Sequence, residues 1–398
     1  VSAAEPDADL PLALYVHFPW CVRKCPYCDF NSHALKDALP EDAYVTALLA
    51  DLDSEVPAVP GRVVRSIFLG GGTPSLFSPD AIARVLAGAG ARLTVAADAE
   101  ITLEANPGTI ERGRFADYRG AGITRVSLGA QSFDLEHLQR LGRIHDAQDT
   151  RRAVDELVAA GIANFNLDLM YALPGQTPEQ ALADVEAAIA LAPAHISHYQ
   201  LTLEPGTVFG GRPPAGMPDP DTAADTQLRC QAALAQAGYQ QYEVSAYARA
   251  GRRCGHNLNY WRFGDYLGIG AGAHGKRSRR RGTRLLVERS TRPREPRRYL
   301  AEISTPGDVP GWREVPSAEL PFEFMMNALR LVEGFEEREF EQRTGLGCDV
   351  IAAALARAVA RRLIAREGSR WRATARGFDF LNDLLGEFLG KASESPVP

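Results

Sequence analysis

The sequence lacks several things, and each absence narrows what the chain can be. No stretch approaches the roughly 18 consecutive apolar residues of a membrane-crossing helix. Cysteine is scarce, with six in 398 residues. That is too few for the disulfide framework of a small secreted domain. Basic residues are not in excess: 44 Lys and Arg face 50 Asp and Glu, a net charge of −6. Nothing in that balance draws nucleic acid, which is not expected as a partner. The opening segment VSAAEPDADLPLAL has neither the charged nor the apolar region of a signal peptide, so a cytoplasmic location is expected. No repeat of 20–50 residues stands out beyond an alternation of strands and helices.

What is present reads as a globular α/β protein. Hydrophobic residues make up 45% and charged residues 24%, ordinary for a chain with a real core. Short apolar runs at 12–18 (LALYVHF), 63–69 (VVRSIFL), 101–104 (ITLE), 124–130 (TRVSLGA), 164–170 (NFNLDLM) and 195–203 (HISHYQLTL) read as strands. Between them lie amphipathic segments. In 41–56, Val45, Leu48, Leu49, Leu52 and Val56 recur at helical spacing. Alternation of this kind predicts a parallel sheet covered by helices. Six units are fewer than the eight of a closed barrel, which leaves an incomplete barrel or an open sheet. Residues 205–222 are rich in Gly and Pro and read as loop. Residues 276–298 hold eleven Lys or Arg against two Glu, which predicts a solvated arm. The last segment reads as helices, a hairpin turning at Gly368 and Ser369, and a final helix over 375–390, together a small winged-helix-like domain. The predicted domains are 1–205, 206–300 and 301–398.

Three of the six cysteines are clustered: Cys21-x3-Cys25-x2-Cys28, directly after the first strand. Closely spaced thiolates on one loop are how proteins hold iron–sulfur clusters. Three ligands leave one iron free for a small chelating ligand. The alternative is zinc, with His17 or His33 as fourth ligand. Cys230, Cys254 and Cys348 stand apart and read as small buried hydrophobes.

The run YVHFPWCVRKCPYCDFNSH resembles the radical-SAM superfamily, and within it the HemN-like branch of oxygen-independent coproporphyrinogen III oxidases. The resemblance implies an incomplete (β/α)6 barrel, a [4Fe–4S] cluster on Cys21, Cys25 and Cys28, and S-adenosyl-L-methionine (SAM) bound against it at the strand ends. It assigns to SAM Gly71, Gly72 and Thr73 of GGGTP, Glu104 of LEANP, Gln131 of SLGAQSF, Arg143 of LGRIH and Asp168 of NLDLMYALPG, with Tyr15 and Tyr27 beside the ligand. The chemistry suits the ligand: carboxylates accept from ammonium or hydroxyl groups, and Arg143 pairs with a carboxylate.

Two features turn the resemblance from the oxidases toward HemW-type haem chaperones. The oxidases carry a further cysteine two residues after the triplet, where this chain has Phe30. The segment His256-Asn257-Leu258-Asn259-Tyr260-Trp261 reproduces an HNxxYW motif. His256 is a candidate axial ligand, Asn257 belongs to the same motif, and Tyr260 and Trp261 are candidates to cover a porphyrin face. The bland reading is that the motif braces strand ends. His274 in YLGIGAGAHG is a second candidate. The expected function is a haem chaperone that binds haem and a SAM-ligated [4Fe–4S] cluster and delivers haem to an acceptor apoprotein, membrane-associated in one reading. A homodimer is a candidate assembly. The alternative is a coproporphyrinogen oxidase-like radical-SAM oxidoreductase, against which Phe30 argues; turnover of any kind is left open.

Overall fold

The computed structural model describes residues 5–6, 10–109, 114–303 and 311–389. Six strands, β1 (Leu12–Phe18), β2 (Val63–Gly71), β3 (Thr94–Ala105), β4 (Arg125–Gln131), β5 (Phe165–Tyr171) and β6 (His195–Gln200), pair in that order and all in parallel. The sheet continues past both edges. An antiparallel hairpin, Gln240–Glu243 with Ala246–Ala248, extends β6. Asp265–Ile269 runs parallel to β1, followed by the antiparallel hairpin His274–Arg281 and Arg284–Thr291. The two outermost strands do not pair with each other, so the barrel is incomplete.

The two faces of this sheet differ in chemistry. Register places Leu14, Val16, Ile67, Leu69, Leu103, Val126, Leu128, Leu167 and Ile196 on the outer face, where they form one apolar core with helix residues such as Leu48, Leu52, Ile82, Val85 and Leu157. The alternate positions, Tyr15, Ser66, Glu104, Arg125, Ser127, Asn166, Asp168 and Ser197, turn inward and are mostly polar. Parallel strands are ordinarily apolar on both faces. Here the inner face is a lined chamber.

The basic stretch is not a solvated arm. Most of it is the hairpin His274–Thr291, and much of its charge is neutralised inside the protein. Arg277 and Arg279 grip Glu288, Arg289 pairs with Glu323, and Lys276 is buried against Asp265 at 2.9 Å. Arg292 is buried between Asp51, at 2.7 Å, and Glu55. The window 276–298 shows the cations and Glu288 but not Asp51, Glu55, Asp265 and Glu323, which fold onto the others.

HNxxYW forms a short helix, Gly255–Trp261, lying across the inner chamber at the N-terminal half of the strands. His256 Nδ1 bonds Ser66 Oγ at 3.0 Å, and the His256 backbone N–H donates to Glu100 at 3.2 Å. The helix is a floor for the barrel.

The C-terminal segment packs around a second apolar core of Phe324, Phe335, Phe340, Leu355, Ile364 and Trp371, which Phe263, Leu285 and Val287 join from the barrel side. Its helices, Leu320–Ala328, Glu337–Thr344 and Asp349–Ala360, precede the hairpin Ile364–Glu367 and Arg370–Ala373. The predicted final helix is two short ones, Ala375–Asp379 and Leu381–Gly386; residue 390 lies outside the described residues. No helix among the described residues is long and apolar enough to cross a membrane. Cys230 and Cys254 are buried, and Cys348 is half-buried.

Candidate functional site

The three clustered cysteines stand on the loop that leaves β1, facing the C-terminal ends of the strands. They border one cavity of about 150 Å³, which Gly71, Gly72, Thr73, Glu104, Gln131, Arg143, Asp168 and Tyr27 also line. Residues scattered over nearly 150 positions therefore meet at one end of the sheet, where α/β proteins bind ligands.

Each sulfur accepts a hydrogen bond or shares one with a neighbour. Thr73 Oγ1 donates to Cys21 Sγ at 3.5 Å, Arg143 Nη1 to Cys25 Sγ at 3.8 Å, and Ser32 Oγ lies 3.5 Å from Cys28 Sγ. Burial, more than the neighbouring thiols, raises the pKa of Cys21; burial also raises that of Cys28. A metal reverses this, because a coordinated thiol loses its proton. Among the described residues, no three His, Cys, Asp or Glu gather closely enough to hold a single metal ion. Thiols spread around one cavity suit a cubane, where each thiolate takes its own iron, better than one tetrahedral zinc. His17 is committed elsewhere: Nδ1 to Tyr15 OH at 2.9 Å and Nε2 to Asn31 O at 2.8 Å. His33 Nε2 meets Arg294 O at 3.2 Å.

A chain of side chains ties the loop to the strand ends. Asn106 Nδ2 donates to Thr73 Oγ1 at 2.8 Å, Arg143 donates to Asn106 Oδ1, and Arg143 Nη2 also donates to Gly129 O at 2.8 Å. Cys21, Thr73, Asn106, Arg143 and Cys25 are thus linked in one circuit. Such outer partners orient metal ligands and tune their basicity.

The glycines earn their place by space. Gly71 has φ +110°, and a Cβ there would enter the His17 ring. A Cβ on Gly72 would lie 2.6 Å from Trp20 O. Only glycine lets this strand end pass so close to the cysteine loop. The Gly71 N–H donates to Glu104 Oε2 at 2.9 Å. Burial, then the charge of Asp168, pushes Glu104 up to about 7. Burial also raises Asp168, against the bonds it accepts from Ser127 at 2.9 Å and Asn166 at 2.8 Å. Gln131 has φ +62° and donates to Tyr199 OH at 3.1 Å. Left-handed backbone at a non-glycine residue is characteristic of ligand sites.

Below this cavity lies a second, of about 270 Å³, between Glu104, Asp168 and the floor helix. Tyr15, His256, Asn257 and Tyr260 line it, so Tyr15 stands under the first cavity rather than in it. His256 is 2% exposed, and its Nε2 has no partner. Burial, then Arg125, lowers His256 to about 3. Trp261 parts from the other three motif residues. It packs beside Tyr242 and Leu331 under the Arg330 guanidinium, 4.4 Å from the ring centroid.

Sequence reading missed Asn106, Arg125, Ser127, Asn166 and Tyr199, all of which line these cavities. A signal existed. In RVSLGAQ and FNLDL every second residue, counting from Arg125 and from Asn166, is polar or glycine, which a strand buried on two apolar faces does not need.

Comparison with known proteins gives the family. The radical SAM superfamily profile matches residues 15–188, and the HemN C-terminal domain matches residues 315–380. Heme chaperone HemW of Escherichia coli (strain K12) is 52% identical over 381 residues, 96% of this chain and 99% of that protein. Heme chaperone HemW of Haemophilus influenzae is 48% identical, covering 95% and 98%. A mitochondrial radical S-adenosyl methionine domain-containing protein 1 of Bos taurus is 37% identical, covering 83% and 75%. The solved structure of coproporphyrinogen III oxidase (HemN) from Escherichia coli superposes with a TM-score of 0.79 at 24% identity, covering 96% of this chain and 90% of that one, which is likeness of fold. With identity of that order sustained over almost its whole length, the chain belongs to the Heme chaperone HemW family of the radical SAM superfamily.

Proposed function

We propose that this protein binds haem and passes it to an acceptor protein, with a [4Fe–4S] cluster and SAM held at the cavity above the floor helix. The observation that carries the reading is the 52% identity to a heme chaperone across 96% of the chain. A local feature supports it. Phe30, 60% exposed beside the cysteine loop, stands where the resembling oxidases have another cysteine.

Cys21, Cys25 and Cys28 hold the cluster, and the remaining iron is left to SAM. Together they supply one-electron chemistry when bound and reduced. Around them the protein orients and excludes. Arg143 faces Cys25 and would meet the SAM carboxylate. Gly71, Gly72 and Thr73 approach through backbone and hydroxyl groups. Glu104, Asp168 and Gln131 would accept from ammonium or hydroxyl groups, with Tyr27 bordering the cavity and Tyr15 beneath it. In the HNxxYW segment His256, Asn257 and Tyr260 line the chamber from below, while Trp261 anchors the helix on its other side.

Two assays test the function. Anaerobically reconstituted protein titrated with ferric haem is expected to show a saturable Soret change. The same protein with SAM, reductant and coproporphyrinogen III is expected to form no decarboxylated product. Repeated turnover to the doubly decarboxylated porphyrinogen would make the protein an oxidase instead.

Glu104 gives SAM binding a pH dependence. Its carboxylate attracts the SAM cation, and its protonated form does not. Affinity is therefore expected to be full above about 7 and to fall by up to ~tenfold per pH unit below it. Calorimetric titration with SAM, wild type against Glu104→Gln, checks this: the variant should bind weakly with a flat profile in that range.

A further inference from the structure

The chain has eight histidines, and their surroundings separate them as haem ligands. His17, His137, His145, His195, His198 and His256 are buried, and His33 is half-buried with Nε2 on Arg294 O. His195 uses both ring nitrogens, on Asn166 at 2.6 Å and Tyr242 OH at 2.8 Å. His256 keeps a free Nε2, but that atom is buried beneath the SAM cavity, in a residue only 2% exposed. A haem macrocycle cannot reach it without lifting the floor helix off Ser66 and Glu100. His274 is the one exposed histidine among the described residues. It opens the hairpin next to the strand that pairs with β1, and no hydrogen bond to its imidazole is present among the described residues.

His274 lines a cavity of about 390 Å³ at the side of the barrel mouth, with Phe30, Tyr260, Tyr266, Asn31 and Arg294. This mouth has what haem asks for. Tyr260 and Tyr266 pack with their rings tilted by 43° and centroids 4.2 Å apart, and Phe30 is exposed. Arg294 has no carboxylate partner among the described residues and is free to meet a propionate. Phe30, His274 and Arg294 are exposed, which lets the macrocycle edge stay in solvent, as release to an acceptor requires. Asn31, three residues past Cys28, donates through Nδ2 to Ala271 O and Arg294 O, each at 2.9 Å. The cysteine loop and the haem wall are thereby one piece.

Resting on the haem reading above, we infer that His274 is the axial ligand of the cargo haem, bound at this mouth between Phe30, Tyr260 and Tyr266, and that His256 is a floor residue. The test titrates ferric haem into cluster-loaded wild type, His274→Gly and His256→Ala, with cluster content showing that each is folded. His274→Gly is expected to bind ~tenfold or more weakly with a shifted Soret band, and added imidazole should restore the wild-type spectrum. His256→Ala should keep the wild-type spectrum. An unchanged spectrum in His274→Gly, or a loss that imidazole does not repair, overturns the assignment. Loss in His256→Ala alone transfers it to that residue. Failure of the wild type to bind haem overturns the haem reading itself.

Discussion

Cys25→Ala is expected to abolish the cluster. The reconstituted variant should carry at least ~tenfold less iron and acid-labile sulfide than wild type, and its reduced form should lose the cluster signal in electron paramagnetic resonance. The expectation follows from ligand number. A cubane held by three thiolates already has one iron without a protein ligand, so a second vacancy leaves half of it bare. Cys25 is also the thiol that Arg143 contacts at 3.8 Å, so its loss breaks the circuit through Asn106 and Thr73 to Cys21. SAM affinity should fall with the cluster. Cys230→Ala and Cys348→Ala, whose thiols lie away from this cavity, should keep full iron. A Cys25→Ala protein that retained its cluster would show that the triplet is not the ligand set.

Asp265→Ala should cost about 3–5 kcal/mol of stability, the largest effect expected of a single change remote from the cluster. Asp265 is fully buried and accepts from Arg62 Nη1 at 2.7 Å, Lys276 Nζ at 2.9 Å, and the Ser278 backbone N–H at 2.8 Å and hydroxyl at 2.9 Å. Arg62 and Lys276 are themselves 4% and 1% exposed. Removing the carboxylate leaves two buried cations with no counter-charge. The penalty is that uncompensated charge, rather than the worth of one ion pair. The site joins the start of β2 to the edge hairpin, so its failure opens the seam that carries His274. Denaturant unfolding of wild type and variant measures the loss; a difference below 1 kcal/mol would mean that water or rearrangement satisfies the cations. The same carboxylate responds to acid. Burial alone would raise its pKa, but Lys276 and Arg62 outweigh burial and hold it below the usual range. Its contribution is therefore complete above the ordinary aspartate pKa and is lost as pH falls through the lower folded-state value.

Much of the barrel was legible because its signals are local. LALYVHF reads as a strand and is one, Leu12–Phe18. The spacing of Val45, Leu48 and Leu52 reads as a helix, and Glu41–Glu55 is helical. The cysteine triplet and the glycines of GGGTP are contiguous in sequence, so their grouping could be seen at once. The basic stretch was misread for the opposite reason. Its cations are visible locally, but Arg292 meets Asp51 from 241 residues away, and no window contains both.

By itself, the sequence determined the order of strands and helices, the loop that bears the three thiols, and the polar residues at strand ends. The first two follow from periodicity, turn chemistry and ligand spacing, which act over a few residues, and the polar residues are what the family resemblance implies. Only the tertiary structure decided which face of the sheet is the chamber, that HNxxYW is its floor with Trp261 turned away, and that His274 is exposed while His256 is closed in. Those outcomes depend on the register of strands far apart in sequence. A side chain's exposure is set by what folds over it, which the residue's own neighbours in sequence do not specify.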